Sequence, residues 1–182
     1  MKIGIVIGSV REGRNGKGIG DWVVARAAER SDAEFVTIDL KEFDLPLMSS
    51  ATLPAMADRK YESANVTRWS EAIDGCDGFV FVTPEYNHGV PGALKNAVDS
   101  LGPEWTGKTI GFVSYGADGG IRSVEQWRQI AANFQMLDVR AQVSISVFAE
   151  CGAGGFTPAE RRPRELATLL DQLVSLTRRL TP

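Results

Sequence analysis

Residues 83–99 read TPEYNHGVPGALKNAVD and link an apolar segment to an amphipathic one. The preceding residues 78–82, GFVFV, form the short continuous apolar run that is typical of a buried strand. Pro91 suits the first turn of a helix, and apolar residues recur at helical spacing after it. The polar and flexible residues between the two elements predict a ligand loop at the carboxyl edge of a parallel sheet. An ordinary connection between a strand and a helix is the alternative.

The same alternation of strand and helix runs through the rest of the chain. Apolar runs predict further strands at residues 2–8, 35–38, 109–113 and, half-exposed or at an edge, 139–148. Apolar residues at helical spacing predict helices near residue 16, over 66–75 and 121–134, and from about residue 158. Residues 39–65 are predicted to be a surface excursion with short helical pieces. This alternation predicts a parallel sheet with helices on both faces. A strand order of 2-1-3-4-5 would bring the loops after strands one, three and four together.

Composition and charge narrow the classes of function. The 182 residues carry a formal net charge of −3, and the basic cluster at residues 161–164 is interpreted as a solvated helix start, so no nucleic-acid partner is expected. No apolar run approaches the roughly 20 residues of a membrane span, so no membrane partner is expected. Two distant cysteines and one histidine predict no disulfide and no metal site. Met1 and Lys2 lead directly into a predicted strand, and the charged and apolar regions of a secretion signal are missing there. This predicts a cytoplasmic location.

The first loop, residues 9–16 (SVREGRNG), has the chemistry of an anion site. It offers the Ser9 hydroxyl, the guanidinium groups of Arg11 and Arg14, and backbone N–H groups at a glycine-rich helix start. Unpaired N–H groups and the helix dipole favour negative charge, and Arg11 suits a phosphomonoester. The Walker A and G-x-G-x-x-G patterns both fail here. A glycine-rich turn needed only for packing against the sheet is the alternative.

The loops after strands three and four suit a flat heterocycle. The second loop, residues 84–89 (PEYNHG), offers backbone groups together with a tyrosine ring and an asparagine amide. The third loop, residues 114–120 (SYGADGG), has mostly small residues that let the backbone approach a planar ligand, whereas Tyr115 could instead pack in the core. A phosphate in the first loop and a planar ring between the other two describe a mononucleotide, of which FMN fits best.

Three segments carry a resemblance to a known family: residues 8–11 (GSVR); residues 84–87 (PEYN) with Gly89, residues 91–92 (PG) and residues 94–97 (LKNA); and residues 114–116 (SYG) with Gly119 and Gly120. Residues 104–108 (EWTGK) add to this resemblance. In this order the segments resemble the NADPH-dependent FMN reductase family, which consists of flavodoxin-like enzymes and includes quinone, azo and chromate reductases. The resemblance implies the α/β class with a flavodoxin-like three-layer sandwich, whose five-stranded parallel sheet has the order 2-1-3-4-5. It also implies a single FMN-binding domain over residues 1–182.

The resemblance implies a protein contact for each part of FMN. The phosphate would be held by residues of the first loop and the helix start: Ser9, Arg11, Asn15, Gly16 and Lys17. The ribityl chain and the ring would lie against the second loop: Pro84, Glu85, Tyr86 and Asn87. The third loop would approach the ring from its other side: Ser114, Gly116 and Gly119. Many family members have a serine where Arg14 stands, which leaves the role of Arg14 open.

The implied function is that of an FMN-dependent oxidoreductase. Hydride would pass from NADPH or NADH to bound FMN and on to free flavin, a quinone or another small acceptor. No catalytic side chain is required. His88 is interpreted as a loop residue, with proton donation or a hydrogen bond to a substrate as the alternative, and Glu85 as structural or as a charge at the rim. A flavodoxin-type electron carrier without its own reductase activity is the alternative, which Arg11 and the mild net charge disfavour. A flavin-free regulatory or structural domain is a second rival. Since family members are commonly oligomers, a homodimer or homotetramer is expected.

Overall fold

One parallel sheet forms the centre of the protein, which a computed structural model describes over residues 1–181. The strands follow the order β2-β1-β3-β4-β5: β1 (Lys2–Ile7), β2 (Glu34–Asp39), β3 (Gly78–Pro84), β4 (Thr109–Gly116) and β5 (Leu137–Ser146). The helices are α1 (Asn15–Ala27), α2 (Ala64–Asp74), α3 (Gly92–Asp99), α4 (Ile121–Asn133), α5 (Val147–Glu150) and α6 (Arg162–Leu180). A small antiparallel hairpin, β6 (Cys151–Gly152) and β7 (Gly155–Phe156), precedes α6. The predicted α/β class and strand order are confirmed. Within residues 1–181, no helix combines the length and the apolar character needed to cross a membrane.

Apolar side chains on both faces of the sheet explain why helices cover both. On one face, α1 and α6 bury Val23 and Leu169 against the strands. On the other face, α2 and α4 bury Trp69 and Trp127 around Phe81 of β3. The rings of Phe81 and Trp127 lie 5.5 Å apart at 90°, an edge-to-face arrangement that aromatic pairs prefer. The two apolar layers make the sheet a firm support for the loops at its carboxyl edge.

The excursion, residues 40–63, leaves the sheet after β2 and contains short helical pieces, as predicted. These are the 3-10 helices Leu40–Phe43 and Pro54–Met56. The side chain of Asn96 in α3 anchors the excursion, since its amide donates to the Pro46 carbonyl and accepts from the Met48 N–H, both at 2.9 Å. The excursion is therefore tied to the helix that follows the second loop.

The C-terminal helix begins later than predicted, and its first residue is buried. Helix α6 begins at Arg162, which is 3% exposed and donates to both oxygens of Glu150 at 2.7 and 3.0 Å. Burial acts to raise the pKa of Glu150, but hydrogen bonds from Arg162 and from the Ala159 N–H prevail and lower it. The interpretation of residues 161–164 as a solvated cluster is therefore wrong for Arg162. Its partner, Glu150, precedes the hairpin in the sequence. The basic cluster at residues 161–164 therefore gives no sign of this ion pair.

Candidate functional site

The three loops meet at the carboxyl edge of the sheet, because β1, β3 and β4 are neighbouring parallel strands. The hydroxyls of Ser9 in the first loop and Tyr86 in the second are hydrogen-bonded at 2.8 Å. The N–H of Glu85 in the second loop donates to the carbonyl of Tyr115 in the third at 2.9 Å. The structure thus brings together the loops that the sequence indicated.

The first loop surrounds the N-terminus of α1 and leaves it open to an anion. Asn15 is the first residue of α1, Gly16 is buried in its first turn, and the N-cap side chain makes no capping hydrogen bond. Ser9 is buried beside this turn. Arg11 is exposed, its Cζ lies 5.9 Å from the Tyr86 ring centroid, and no ion pair among residues 1–181 includes it. Open N–H groups, the helix dipole and an unpaired guanidinium all favour negative charge.

The other two cations of this region are held by carboxylates. Arg14 donates to both oxygens of Asp39 at 2.7 Å and also to the Ser9 carbonyl, and the Arg14 and Asp39 side chains are almost fully buried. Lys17 donates to Asp21, one turn further along α1, at 2.6 Å. Arg14 therefore fixes the first loop to the end of β2. Lys17 has only its backbone N–H left to offer at the helix start.

Tyr115 lies in the core beneath the first loop. Its ring belongs to the apolar cluster on the α1 face of the sheet. Its hydroxyl is the buried side-chain polar atom that has no hydrogen-bond partner among residues 1–181. A Cβ added at Gly16 would overlap this hydroxyl, which explains why glycine occupies that position. Burial raises the pKa of Tyr115, so its phenol stays protonated at ordinary pH.

The second loop contains a tight turn with an unfavourable backbone conformation. Tyr86 and Gly89 exchange two backbone hydrogen bonds of 3.1 Å around the central residues Asn87 and His88. These central residues have φ values of 49° and 73°, in the left-handed region. Such a conformation costs a residue other than glycine about 1–3 kcal/mol and persists only where surrounding contacts enforce it. The turn leaves Asn87 exposed at the edge of the sheet.

Two side chains of α4 supply those contacts. Gln126 donates from Nε2 to the His88 carbonyl at 3.0 Å and accepts at Oε1 from the Val90 N–H at 3.2 Å. The carboxylate of Glu85, whose side chain is 9% exposed, accepts from the N–H of Arg122 at 3.1 Å and from its Nη1 at 2.6 Å. The Glu85 carboxylate is therefore occupied by α4. Sequence reasoning missed both α4 residues, and the signal that could have found them is their spacing of four, which places them on one helix face.

The third loop is closed by its own serine. The Ser114 hydroxyl is buried and donates to the Gly119 carbonyl at 2.7 Å. Gly119 has a φ of 78°, in the left-handed region that favours glycine. Gly116, the last residue of β4, lies against the Glu85 Cβ, and Pro84 is buried at the end of β3. The backbone of the third loop therefore lies directly beside the second loop, whereas the side chains of Ser114 and Pro84 are turned into the fold.

A cavity lies beneath the excursion, away from the three loops. It measures about 130 Å³ and is lined mainly by residues 46–63. Its lining contains no arginine, and ligand pockets for molecules of cofactor size measure roughly 300 Å³ or more. This cavity is therefore too small for a phosphorylated ring.

The residues at this edge fit FMN. At one end lie an open helix N-terminus, the unpaired Arg11 and the Tyr115 hydroxyl without a partner, which together suit a phosphate. At the other end lie the exposed Asn87 and the narrow backbone of the third loop, which suit a flat ring. The fold and the site define a flavodoxin-like mononucleotide-binding protein.

Comparison with known sequences assigns the family. Residues 1–150 match the family described as NADPH-dependent FMN reductase, and the chain belongs to this family. It is 39% identical over 129 residues to an NAD(P)H-dependent FMN reductase of a Nectria species, a match that covers 69% of this chain and 64% of that protein. It is 35% identical over 139 residues to a quinone reductase of Pseudomonas putida, a match that covers 70% of this chain and 67% of that protein.

A solved structure supports the fold. The chain superposes on FerB, described as a flavoenzyme NAD(P)H:(acceptor) oxidoreductase from Paracoccus denitrificans, with a TM-score of 0.74 and 22% identity. The match covers 98% of this chain and 97% of that chain. The predicted family is confirmed, and with it the class of oxidoreductase that uses FMN and NAD(P)H.

Proposed function

We propose that the protein binds one FMN across its three loops and uses NADPH or NADH to reduce free flavin, a quinone or another small acceptor. The observation that carries this proposal is the open N-terminus of α1 beside Arg11, at the same sheet edge as the second and third loops. An anion site continuous with polar and backbone groups suits a ligand with a phosphate at one end and a flat ring at the other.

The first loop would hold the phosphate. Arg11 would supply positive charge and charge-assisted hydrogen bonds. The N–H groups of the first helical turn would donate alongside the Ser9 hydroxyl; the residues of that turn are Asn15, Gly16 and Lys17. The support for these roles is that the turn has no side-chain cap and that the guanidinium has no carboxylate partner.

The second and third loops would hold the ring. Asn87 would hydrogen-bond its polar edge, Tyr86 would line the ribityl chain between ring and phosphate, and the backbone at Gly116 and Gly119 would approach the opposite side. Bound FMN supplies the hydride chemistry between nicotinamide and acceptor. Glu85 acts through Arg122 to fix the second loop, so no side-chain acid or base is assigned to the reaction.

The proposal covers a single FMN-binding domain over residues 1–182 that works in the cytoplasm as a homodimer or homotetramer. Three apolar side chains of the excursion support an assembly surface: Leu47, Leu53 and Met56 are 82%, 61% and 76% exposed. Exposed apolar surface is a common feature of protein interfaces. Light scattering coupled to size exclusion measures the molar mass directly, and a monomeric mass would contradict this part of the proposal.

Anaerobic titration of the FMN-loaded protein with NADPH and with NADH tests the activity. We expect the visible absorbance of the bound flavin to fall with one equivalent of the preferred nicotinamide and to return when a quinone or free flavin is added. A flavin that neither nicotinamide reduces, but that exchanges electrons with a reduced protein partner, would identify an electron carrier instead. A chain that takes up no FMN would contradict the proposal altogether.

A further inference from the structure

The Tyr115 hydroxyl is buried but makes no hydrogen bond within residues 1–181. Tyr115 is 5% exposed, and its ring extends from β4 into the apolar cluster beneath α1. Buried hydroxyls nearly always have a partner, because an unpaired polar group in the interior is unfavourable. A phenylalanine would pack the same ring without that cost. We therefore expect the hydrogen-bond partner of this hydroxyl to be a ligand that binds at the three loops.

The surroundings of the hydroxyl belong to the phosphate end of the site. A Cβ added at Gly16 would meet the Tyr115 hydroxyl on one side and the Ser9 Cβ at 3.4 Å on the other, so both side chains border the first turn of α1. The Ser9 hydroxyl is itself bonded to Tyr86. Burial and the nearby Tyr86 raise the pKa of Tyr115, whereas the Ser9 hydroxyl and the guanidinium groups of Arg14 and Arg11 act to lower it. The phenol thus lies among the groups that would surround a phosphate.

We propose that Tyr115 is a selectivity residue for the phosphorylated flavin, donating a hydrogen bond from its hydroxyl to a phosphate oxygen. This inference rests on the proposed function, since it takes FMN as the ligand. A phosphate has acceptor oxygens to spare, and a neutral phenol is a donor to them at every ordinary pH. Riboflavin has no phosphate and leaves the hydroxyl as it is. Tyr115 therefore makes the protein prefer FMN over riboflavin.

The test compares Tyr115→Phe with the wild-type apoprotein, using flavin fluorescence to measure the dissociation constants of FMN and riboflavin. We expect Tyr115→Phe to weaken FMN binding by about tenfold or more, because a hydrogen bond to a charged group is lost, and to leave riboflavin binding unchanged. Thermal unfolding of the apoproteins is the second measurement. The melting temperature of the Tyr115→Phe apoprotein should equal or exceed that of the wild type, while FMN should raise it less.

Tyr61→Phe is the matched control, because the hydroxyl of Tyr61, a residue of the excursion, already donates to Glu104 at 2.6 Å. This variant should lower the melting temperature of the apoprotein and keep the wild-type preference for FMN. A Tyr115→Phe variant with that same pattern would overturn the inference, since the hydroxyl would then be structural. An unchanged preference at unchanged stability would overturn it equally. Failure of the wild type to bind either flavin would instead overturn the proposed function.

Discussion

Replacing Gln126 by alanine tests whether α4 shapes the second loop for the flavin ring. In the structure, the Gln126 amide makes hydrogen bonds to the His88 carbonyl at 3.0 Å and to the Val90 N–H at 3.2 Å. Without that side chain, the left-handed conformations of Asn87 and His88 lose two of the contacts that support them. We therefore expect the turn to relax in the free protein and to be restored only when flavin binds.

The expected loss follows from the contacts. Two neutral hydrogen bonds at about 0.5–1.5 kcal/mol each amount to about 2 kcal/mol. If flavin binding restores the turn, about 2 kcal/mol corresponds to a roughly thirtyfold higher dissociation constant. The unfavourable φ values of Asn87 and His88 act in the same direction. FMN and riboflavin should weaken by the same factor, because the second loop serves the ring and not the phosphate.

Fluorescence titration of the apoprotein with both flavins measures this effect. The matched control is Gln172→Ala, which removes a hydrogen bond of 3.0 Å to the Ala141 N–H, on α6 and β5 and away from the three loops. This control should bind both flavins as the wild type does. Hydrogen exchange at residues 86–90 should show that Gln126→Ala frees the turn. A freed turn with unchanged affinity for both flavins would refute the reasoning.

Four further predictions concern charge and packing. Arg11→Ala should raise the dissociation constant for FMN about tenfold or more and leave that for riboflavin unchanged, as measured by fluorescence titration, because it removes a hydrogen bond to a charged group. Gly16→Ala should lower the free energy of unfolding in urea by about 1–3 kcal/mol, because its Cβ overlaps the Tyr115 hydroxyl, and adding Tyr115→Phe should restore part of the loss. Arg162→Ala should lower the free energy of unfolding by about 3–5 kcal/mol, because it leaves the buried Glu150 charge unpaired. The pKa of Glu150 in the folded protein lies below its ordinary value of 4.5. The ionised carboxylate should therefore stabilise the wild type above pH 4.5, and this stabilisation should be lost as the pH falls through the pKa of the folded state. Glu150→Gln should remove this pH dependence.

Each of these predictions has a result that contradicts it, and for Arg162→Ala that result is a free energy of unfolding equal to that of the wild type. An equal loss of affinity for FMN and riboflavin in Arg11→Ala would separate Arg11 from the phosphate. A Gly16→Ala protein as stable as the wild type would show that the first turn of α1 has room for a side chain. Identical acid unfolding of the wild type and Glu150→Gln would show that the Glu150 carboxylate contributes nothing to the pH dependence.

The sheet was predictable because the strands are marked by local patterns of apolar residues. Residues 78–82 and 109–113 are continuous apolar runs, and they lie in the central strands β3 and β4, which are covered on both faces. Both strands extend further than predicted, because pairing continues from Thr83 with Ser114 to Pro84 with Tyr115. Residues at the ends of strands pair through their backbones. A prediction based on apolar runs does not detect this pairing and therefore ends the strand too early.

The positions of the loops were also predictable, but the partners of their side chains were not. Arg14 pairs with Asp39 and Glu85 with Arg122, and both partners lie on other elements of the fold. A sequence shows that a charge is present but does not show which carboxylate lies opposite after folding. Lys17 is the exception, since its partner is four residues along the same helix, a spacing that the sequence displays.

The central claim is that one FMN molecule lies across the first, second and third loops. A crystal structure of the FMN complex tests this claim most directly. We predict the phosphate within hydrogen-bond distance of Ser9 and Arg11 at the N-terminus of α1, and the ring between Asn87 and Gly116. FMN bound elsewhere, such as beneath the excursion, or a phosphate remote from the start of α1, would contradict the account.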